Sequence, residues 1–406
     1  MLALIVAGAL ALTPTSAALR VVTTCPSTAV QTTALPATFP IEVWSNHVYV
    51  KVCVAEHALE FILDTGAGAT SLDLNIARQL GVHLGQTFTV GGAGAGRVAG
   101  ARVENASVAL DGLSIVQPIA TAIDLSRLSP REGHRMDGIL GYDFIARYVL
   151  AIDYERSELR IYDRDRFHYD GSGTSVPVTL IDRFPIIDAA ITLGERDTLR
   201  GRFVVDVGSG AALTLRKPFV DENHLRDRVG QTIRRTGSGG VGGQTTSDVG
   251  RVAALLIGGI ELARPITQLF GDSAGVMSQR GAWVGNIGGV ILRRFTLLLD
   301  YQGKRMIFEP NARIDEPFET DMSGAGIVSD DSLSSIVVDN VAPGSPAAEA
   351  GLTRGDVIAS VDGAPASHRL LAELRDRFRR PGERVVLMVR RGGETKRVEI
   401  VTRRMV

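Results

Sequence analysis

The chain has 406 residues, 45% hydrophobic and 22% charged, with 44 lysines and arginines against 45 aspartates and glutamates. That length holds two or three domains at about 150 residues each, and the composition supports several packed cores and excludes a disordered chain. A net charge of −1 gives no reason to expect a nucleic acid or an acidic surface as partner.

Residues 1–12 are uncharged and nearly all apolar, too short for comfortable passage through a bilayer, which takes roughly 20 residues. They resemble the apolar core of a secretory signal, with Thr15-Ser16-Ala17 as a cleavage site, although the first positive charge is Arg20. The expectation is a periplasmic or secreted protein in which residues 1–35 form a signal-like segment and an N-terminal arm. An uncleaved segment would be its one link to a membrane. Cys25 and Cys53 lack the CxxC spacing of zinc and redox sites. In an oxidising compartment they could pair, and equally Cys53 could be a small apolar strand residue.

From residue 36 the pattern becomes that of strands. Val48-Tyr49-Val50-Lys51-Val52 alternates, and Leu59-Glu60-Phe61-Ile62-Leu63 runs into Asp64-Thr65-Gly66. A glycine-rich strip follows at residues 91–96, then Gly138-Ile139-Leu140-Gly141, then an apolar run ending in Asp153-Tyr154. The whole series recurs. Ile186-Ile187-Asp188-Ala189-Ala190-Ile191 leads to Phe203-Val204-Val205-Asp206-Val207-Gly208, a second strip spans 237–243, and Gly285-Asn286-Ile287-Gly288 precedes a run ending in Asp300-Tyr301. The offsets are 142 (206 − 64) and 147 (285 − 138), so four landmarks keep their order and spacing. The halves span 36–165 and 174–312, joined by the polar Asp170-Gly171-Ser172-Gly173. Asp153 and Asp300, ending apolar strands, are expected to be solvated strand-end residues.

An aspartate held at a glycine turn after an apolar strand is presented rigidly beneath a cleft. Two such turns facing one another bring two carboxyls together. These cannot both ionise readily, so they share a proton. The ionised member can then take a proton from water while the protonated one hydrogen-bonds a carbonyl, which is general acid–base hydrolysis.

Asp64-Thr65-Gly66-Ala67-Gly68-Ala69-Thr70 resembles the active-site loop of retropepsin-like and pepsin-like aspartic peptidases. Ile139-Leu140-Gly141 and Asn286-Ile287-Gly288 resemble the strand these proteins thread behind that loop. The resemblance implies a mostly β, bilobal pair of acid-protease-like barrels with Asp64 and Asp206 as the catalytic dyad. Thr65, Gly66, Val207, Gly208 and Ser209 would support the loops, and Gly91, Gly92, Gly94, Gly237, Gly239 and Gly240 would form flaps over the substrate. The second loop departs from the pattern, with Val207 in place of Thr or Ser. In the family the paired hydroxyls brace the two loops, so one brace of roughly 0.5–1.5 kcal/mol would be absent. The flap strips also lack a tyrosine. No cofactor and no metal are implied. A catalytically inactive peptide-binding scaffold of the same fold is the alternative.

Gly271-Asp272-Ser273-Ala274-Gly275 fits the pattern of a serine nucleophile, but the residues after it make a poor helix and no histidine has an Ala-His-Cys context, so Ser273 reads as a loop residue. Residues 91–96 could pass for a dinucleotide loop, but no strand–turn–helix unit surrounds them.

Residues 322–403 change in texture. Gly324-Ala325-Gly326-Ile327 precedes the strand Ser335-Ile336-Val337-Val338-Asp339-Asn340-Val341. After it, Ser345-Pro346 starts a short helix that Gly351 ends, and a second helix is expected over 367–379 with Leu370, Leu371 and Leu374 on one face. This run resembles the PDZ domain of bacterial exported peptidases, a small α+β module. The resemblance implies capture of a C-terminal peptide by strand addition at Gly324, Gly326 and Ile327. The partners expected are therefore a peptide or protein substrate and a C-terminal peptide ligand. The alternative is a PDZ fold that only packs against the two halves.

Overall fold

The computed structural model describes Cys25 and residues 34–110, 115–194, 197–366 and 368–406. The signal-like segment and its Thr15-Ser16-Ala17 site lie outside the described residues, as does Ser367. Cys25 and Cys53 form a disulfide, with their Cα atoms 6.1 Å apart, which ties the N-terminal arm to the strand His47–Val54.

The protein is mostly β, an aspartic-proteinase-like body of two lobes with a PDZ domain at the C-terminus. In the first lobe the strand order is Leu84–Gly91, Arg97–Val103, Thr121–Ile123, Ser71–Asp73, Gly138–Leu140, His57–Leu63, His47–Val54, Ser107–Leu110 and Val116–Pro118. The second lobe repeats that order with Ile233–Gly240, Gly243–Arg251, Ile266–Phe270, Leu213–Leu215, Gly285–Gly288, Asp197–Asp206, Phe184–Gly194, Ala254–Ile257 and Ile260–Ala263. In each lobe the apolar-Gly strand runs parallel to the aspartate-bearing strand, Leu140 opposite Leu63 and Ile287 opposite Val205. Both faces of these strands are covered where they reach the aspartates, since Ile62 and Val204 are buried along with their neighbours. Phe61, Leu63, Phe203 and Val205 are fully covered.

A third, six-stranded sheet joins the lobes beneath the cleft, its middle formed by Tyr148–Asp153 against Phe295–Asp300 with Leu150 opposite Leu299. The aspartates ending these two strands are not solvated as expected: Asp153 is 2% exposed and Asp300 5%. Each carboxylate closes the turn that follows its strand. Asp153 accepts the Glu155 and Arg156 amides and the Arg156 guanidinium, while Asp300 accepts the Gly303 amide and Arg305 Nε. Those bonds satisfy the charge, so burial is tolerated.

The PDZ domain is a five-strand path, Ala325–Ser329, Ile336–Val341, Val357–Val361, Arg384–Arg391 and Glu394–Val401, with the pair Ala364–Pro365 at one side. Ser345 caps the helix Pro346–Glu349 by accepting the Ala348 amide. The second helix, His368–Arg377, turns Leu371 and Leu374 inward onto Ile336 and Val338. Arg294, fully buried, fixes the approach to this domain. It donates to the carbonyls of Arg313, Ile314 and Glu316 and lies 3.7 Å over the Phe318 ring. Arg375, from the second helix, donates to the carbonyls of Arg131 (2.6 Å), Glu132 (3.2 Å) and Ile327 (2.8 Å). It thereby joins the PDZ domain to the short helix Leu128–Glu132 of the first lobe.

Candidate active site

The strand His57–Leu63 delivers Asp64 into a tight turn. The Asp64 amide donates to the Leu140 carbonyl (3.0 Å), and the Gly66 amide donates to Asp64 Oδ1 (2.7 Å). Behind the turn Gly141 passes so close to Ala69 that a Cβ there would lie 2.6 Å from its carbonyl. Gly288 stands in the same relation to Ala211, at 2.5 Å. Only glycine permits those two close passages.

The two turns meet. A Cβ on Gly66 would lie 2.8 Å from Asp206 Oδ1, and one on Gly208 would lie 2.1 Å from the carboxyl carbon of Asp64. Each glycine therefore makes room for the opposite aspartate, and the two carboxyls face each other. Asn286 Nδ2 donates to Asp206 Oδ2 at 2.8 Å. Thr65 Oγ1 crosses between the lobes, donating to the Val205 carbonyl and accepting the Val207 amide. Val207 is fully buried beside it and has no hydroxyl to return.

Burial away from water raises the pKa of both aspartates. For Asp64, the charge of Asp206 adds to burial and carries it to about 8. For Asp206, the Asn286 amide and the nearby His47 oppose the rise. The pair therefore shares a proton, and the Asn286 amide favours the charge on Asp206. His47 is 7% exposed, its Nδ1 3.6 Å from a Glu132 carboxylate oxygen and its Cε1 2.8 Å from where a Gly210 Cβ would be.

The glycine strips form the tips of two hairpins over the dyad, one between Leu84–Gly91 and Arg97–Val103, the other between Ile233–Gly240 and Gly243–Arg251. The tips touch: the Gly94 amide donates to the Val241 carbonyl (2.9 Å) and the Gly96 amide to that of Gly242 (2.7 Å). A cleft roofed by Gly91, Gly92, Gly239 and Gly240 runs over Asp64 and Asp206, with Ile62, Phe88, Ile139 and Phe184 as apolar walls. Such a cleft suits an extended peptide chain.

A second cavity adjoins it at the PDZ junction and is lined by Gly324, Gly326 and Ile327. The Gly324 amide is already taken by the Asp321 carboxylate, which pairs with Arg235. Gly326 and Ile327 lie on the edge strand Ala325–Ser329, where Arg375 takes the Ile327 carbonyl. Ser273 is exposed in a loop, and the helix a nucleophile elbow needs is replaced by the single 3-10 turn Val276–Ser278. Among the described residues no cluster of three or more His, Cys, Asp or Glu side chains could hold a metal ion.

Three contributors are absent from the expected set. Asn286 was legible, because it is the polar residue at the position where the first half has Ile139 (286 − 147). Asp143, whose Oδ1 accepts both the amide and hydroxyl of Thr70, and His47 carry no local signal.

A family model described as aspartyl protease matches residues 50–144, and one described as PDZ domain matches 319–402. No curated protein matches the chain. Among solved structures, an aspartic proteinase from Irpex lacteus is similar at 16% identity and a TM-score of 0.44, over 69% of this chain and 98% of that one. A protease domain implies a protein substrate, and a PDZ domain a peptide ligand.

Proposed function

We propose that this aspartyl-protease-like chain with its PDZ domain is an active aspartic endopeptidase. The observation that carries the reading is the meeting of Asp64 and Asp206 across Gly66 and Gly208. Asp206 takes a proton from a water held between the carboxyls, while Asp64 donates its proton to the scissile carbonyl oxygen. The resulting gem-diol then collapses: Asp206 passes its proton to the leaving nitrogen while Asp64 takes one back from a gem-diol hydroxyl, which restores the shared proton and releases the new carboxyl group. No covalent intermediate forms. The peptide lies extended beneath the two flaps, in the manner of retropepsin-like enzymes, and the PDZ domain docks a peptide beside the cleft. The signal-like segment and the Cys25–Cys53 disulfide support action in an oxidising, exported setting such as the periplasm.

Cleavage of an unfolded protein by the wild-type chain, blocked by pepstatin and by Asp64→Asn, is the test. A folded sample that cleaves nothing at any pH between about 4 and 8 leaves only the peptide-binding scaffold, the reading that Val207 favours. Labelling of Ser273 by a fluorophosphonate, with cleavage indifferent to Asp64→Asn, would instead install the serine mechanism.

A further inference from the structure

Five arginines line the dyad cleft and the PDZ-junction cavity: Arg131, Arg235, Arg293, Arg375 and Arg379. Four are occupied. Arg235 binds Asp321, Arg293 binds Glu316, Arg379 binds Asp376, and Arg375 is saturated by the carbonyls already described.

Arg131 differs. Its guanidinium makes no hydrogen bond and no ion pair with any described residue, although it is half-buried and lines both cavities. The acids that face it are committed elsewhere. The carboxylate of Glu132 lies beside His47, and that of Asp339 accepts from Gln244 Nε2 at 2.5 Å. Arg375 grips the Arg131 backbone carbonyl, and the guanidinium reaches the second-lobe flap, where a Cβ on Gly239 would lie 2.9 Å from Arg131 Nη1. Burial lowers its pKa, and the charges of Glu132 and Asp339 offset only part of that. A partly desolvated guanidinium with open donors is well suited to a carboxylate, whose two oxygens match its fork of N–H groups.

We propose that Arg131 is a specificity-determining residue that binds a carboxylate of the substrate peptide where the cleft opens toward the PDZ domain. The carboxylate is either an acidic side chain or the peptide's free C-terminus, since both present the same two oxygens. The proposal rests on the peptide-hydrolase reading. It is tested by binding, so that failure of hydrolysis and failure of the subsite remain distinguishable.

The full-length Asp64→Asn chain is titrated with fluorescent twelve-residue peptides of one apolar sequence, carrying Glu or Gln scanned along the peptide and ending in a free acid or an amide. One acidic form should bind about tenfold or more tightly than its neutral counterpart, with the preference shrinking in salt. Arg131→Gln in the same background should erase that preference and leave neutral peptides unchanged, while Arg131→Lys should keep part of it. The arm that shows the preference, Glu or free acid, names the source of the carboxylate. Equal affinity for all forms, a preference that survives Arg131→Gln, or an equal loss for acidic and neutral peptides at an unchanged melting temperature would each overturn the proposal.

Discussion

The hydroxyl of Thr65 receives the amide of Val207 at 2.9 Å, 142 residues away in sequence, and donates in turn to the Val205 carbonyl at 2.6 Å. This brace runs in one direction only. Thr65→Val would leave the Val207 amide buried and unsatisfied and should cost about 1–3 kcal/mol, read as a lower unfolding midpoint together with lower kcat/KM. The reverse change, Val207→Thr, adds a hydroxyl at the pseudo-symmetric position, facing the Leu63 carbonyl and the Thr65 amide. It should add about 0.5–1.5 kcal/mol and leave activity equal or higher. A sharp loss of activity would mean that the fully buried site cannot accommodate the hydroxyl.

Asp64 ties stability to pH in a direction opposite to a salt-bridged acid. Its carboxyl titrates at 3.8 when unperturbed and at about 8 in the folded protein. Between those values the native state holds more protons than the unfolded chain, so stability is full below the unfolded pKa and is lost as pH rises through the folded one. Asp64→Asn removes the titrating group. The variant should be inactive yet more stable than wild type at pH 8 by on the order of a few kcal/mol, with the gap closing toward pH 4. Melting curves at a series of pH values decide the matter, and parallel curves for the two proteins would contradict it.

Asn286 acts on the other aspartate. Its amide donates to the Asp206 carboxylate and favours the ionised form, whereas its own Oδ1 is buried without a partner. Asn286→Leu keeps the volume, removes the bond and removes the orphaned oxygen. The pKa of Asp206 then rises further, so the acidic limb of the kcat/KM profile should move to higher pH while the alkaline limb stays in place. The profile with a peptide substrate is the readout, and an unmoved acidic limb would assign the base role elsewhere.

Much of this site was legible because duplication writes it twice. Two strands ending in Asp-x-Gly and two apolar-Gly strands at nearly constant offset define which backbones must nearly touch, and Gly141 and Gly288 do so against Ala69 and Ala211. What the repeat hides is where its halves differ. Nor does either half show that its strand-end acid is buried, because the sequence at Asp153 shows the acid but not the Arg156 guanidinium and turn amides that allow its burial. His47 and Asp143 reach their partners only through long-range folding, and neither stands in a motif. The PDZ helix did carry a hint. Arg375 falls one turn after Leu371, on the inward face, where a charge is out of place unless a partner waits there.

That partner is the end of the helix Leu128–Glu132, so the PDZ domain is also a wall of the cleft. Arg375 satisfies the Arg131 and Glu132 carbonyls, and Leu371 sits so close beneath Gly133 that a Cβ there would lie 2.3 Å from its Cδ2. Gly133 is left-handed, at φ 67°, so a larger residue would strain the turn and push Leu371 aside. Asp339 of the same domain also holds Gln244 beside the second flap. Arg375→Ala would strip three carbonyls of their donor at once, about 1–3 kcal/mol for each that water does not reach. The PDZ domain should then loosen from the first lobe while both cores stay folded. Calorimetry should resolve an earlier, separate transition, and trypsin should cut near Arg313 sooner than in wild type. With one wall of the cleft displaced, KM for a peptide should rise more than kcat falls, because the dyad itself is braced by Thr65 and Asn286. A single unchanged transition, with kinetic constants equal to wild type, would show that the domain is held by its other contacts and that Arg375 fixes nothing the cleft depends on.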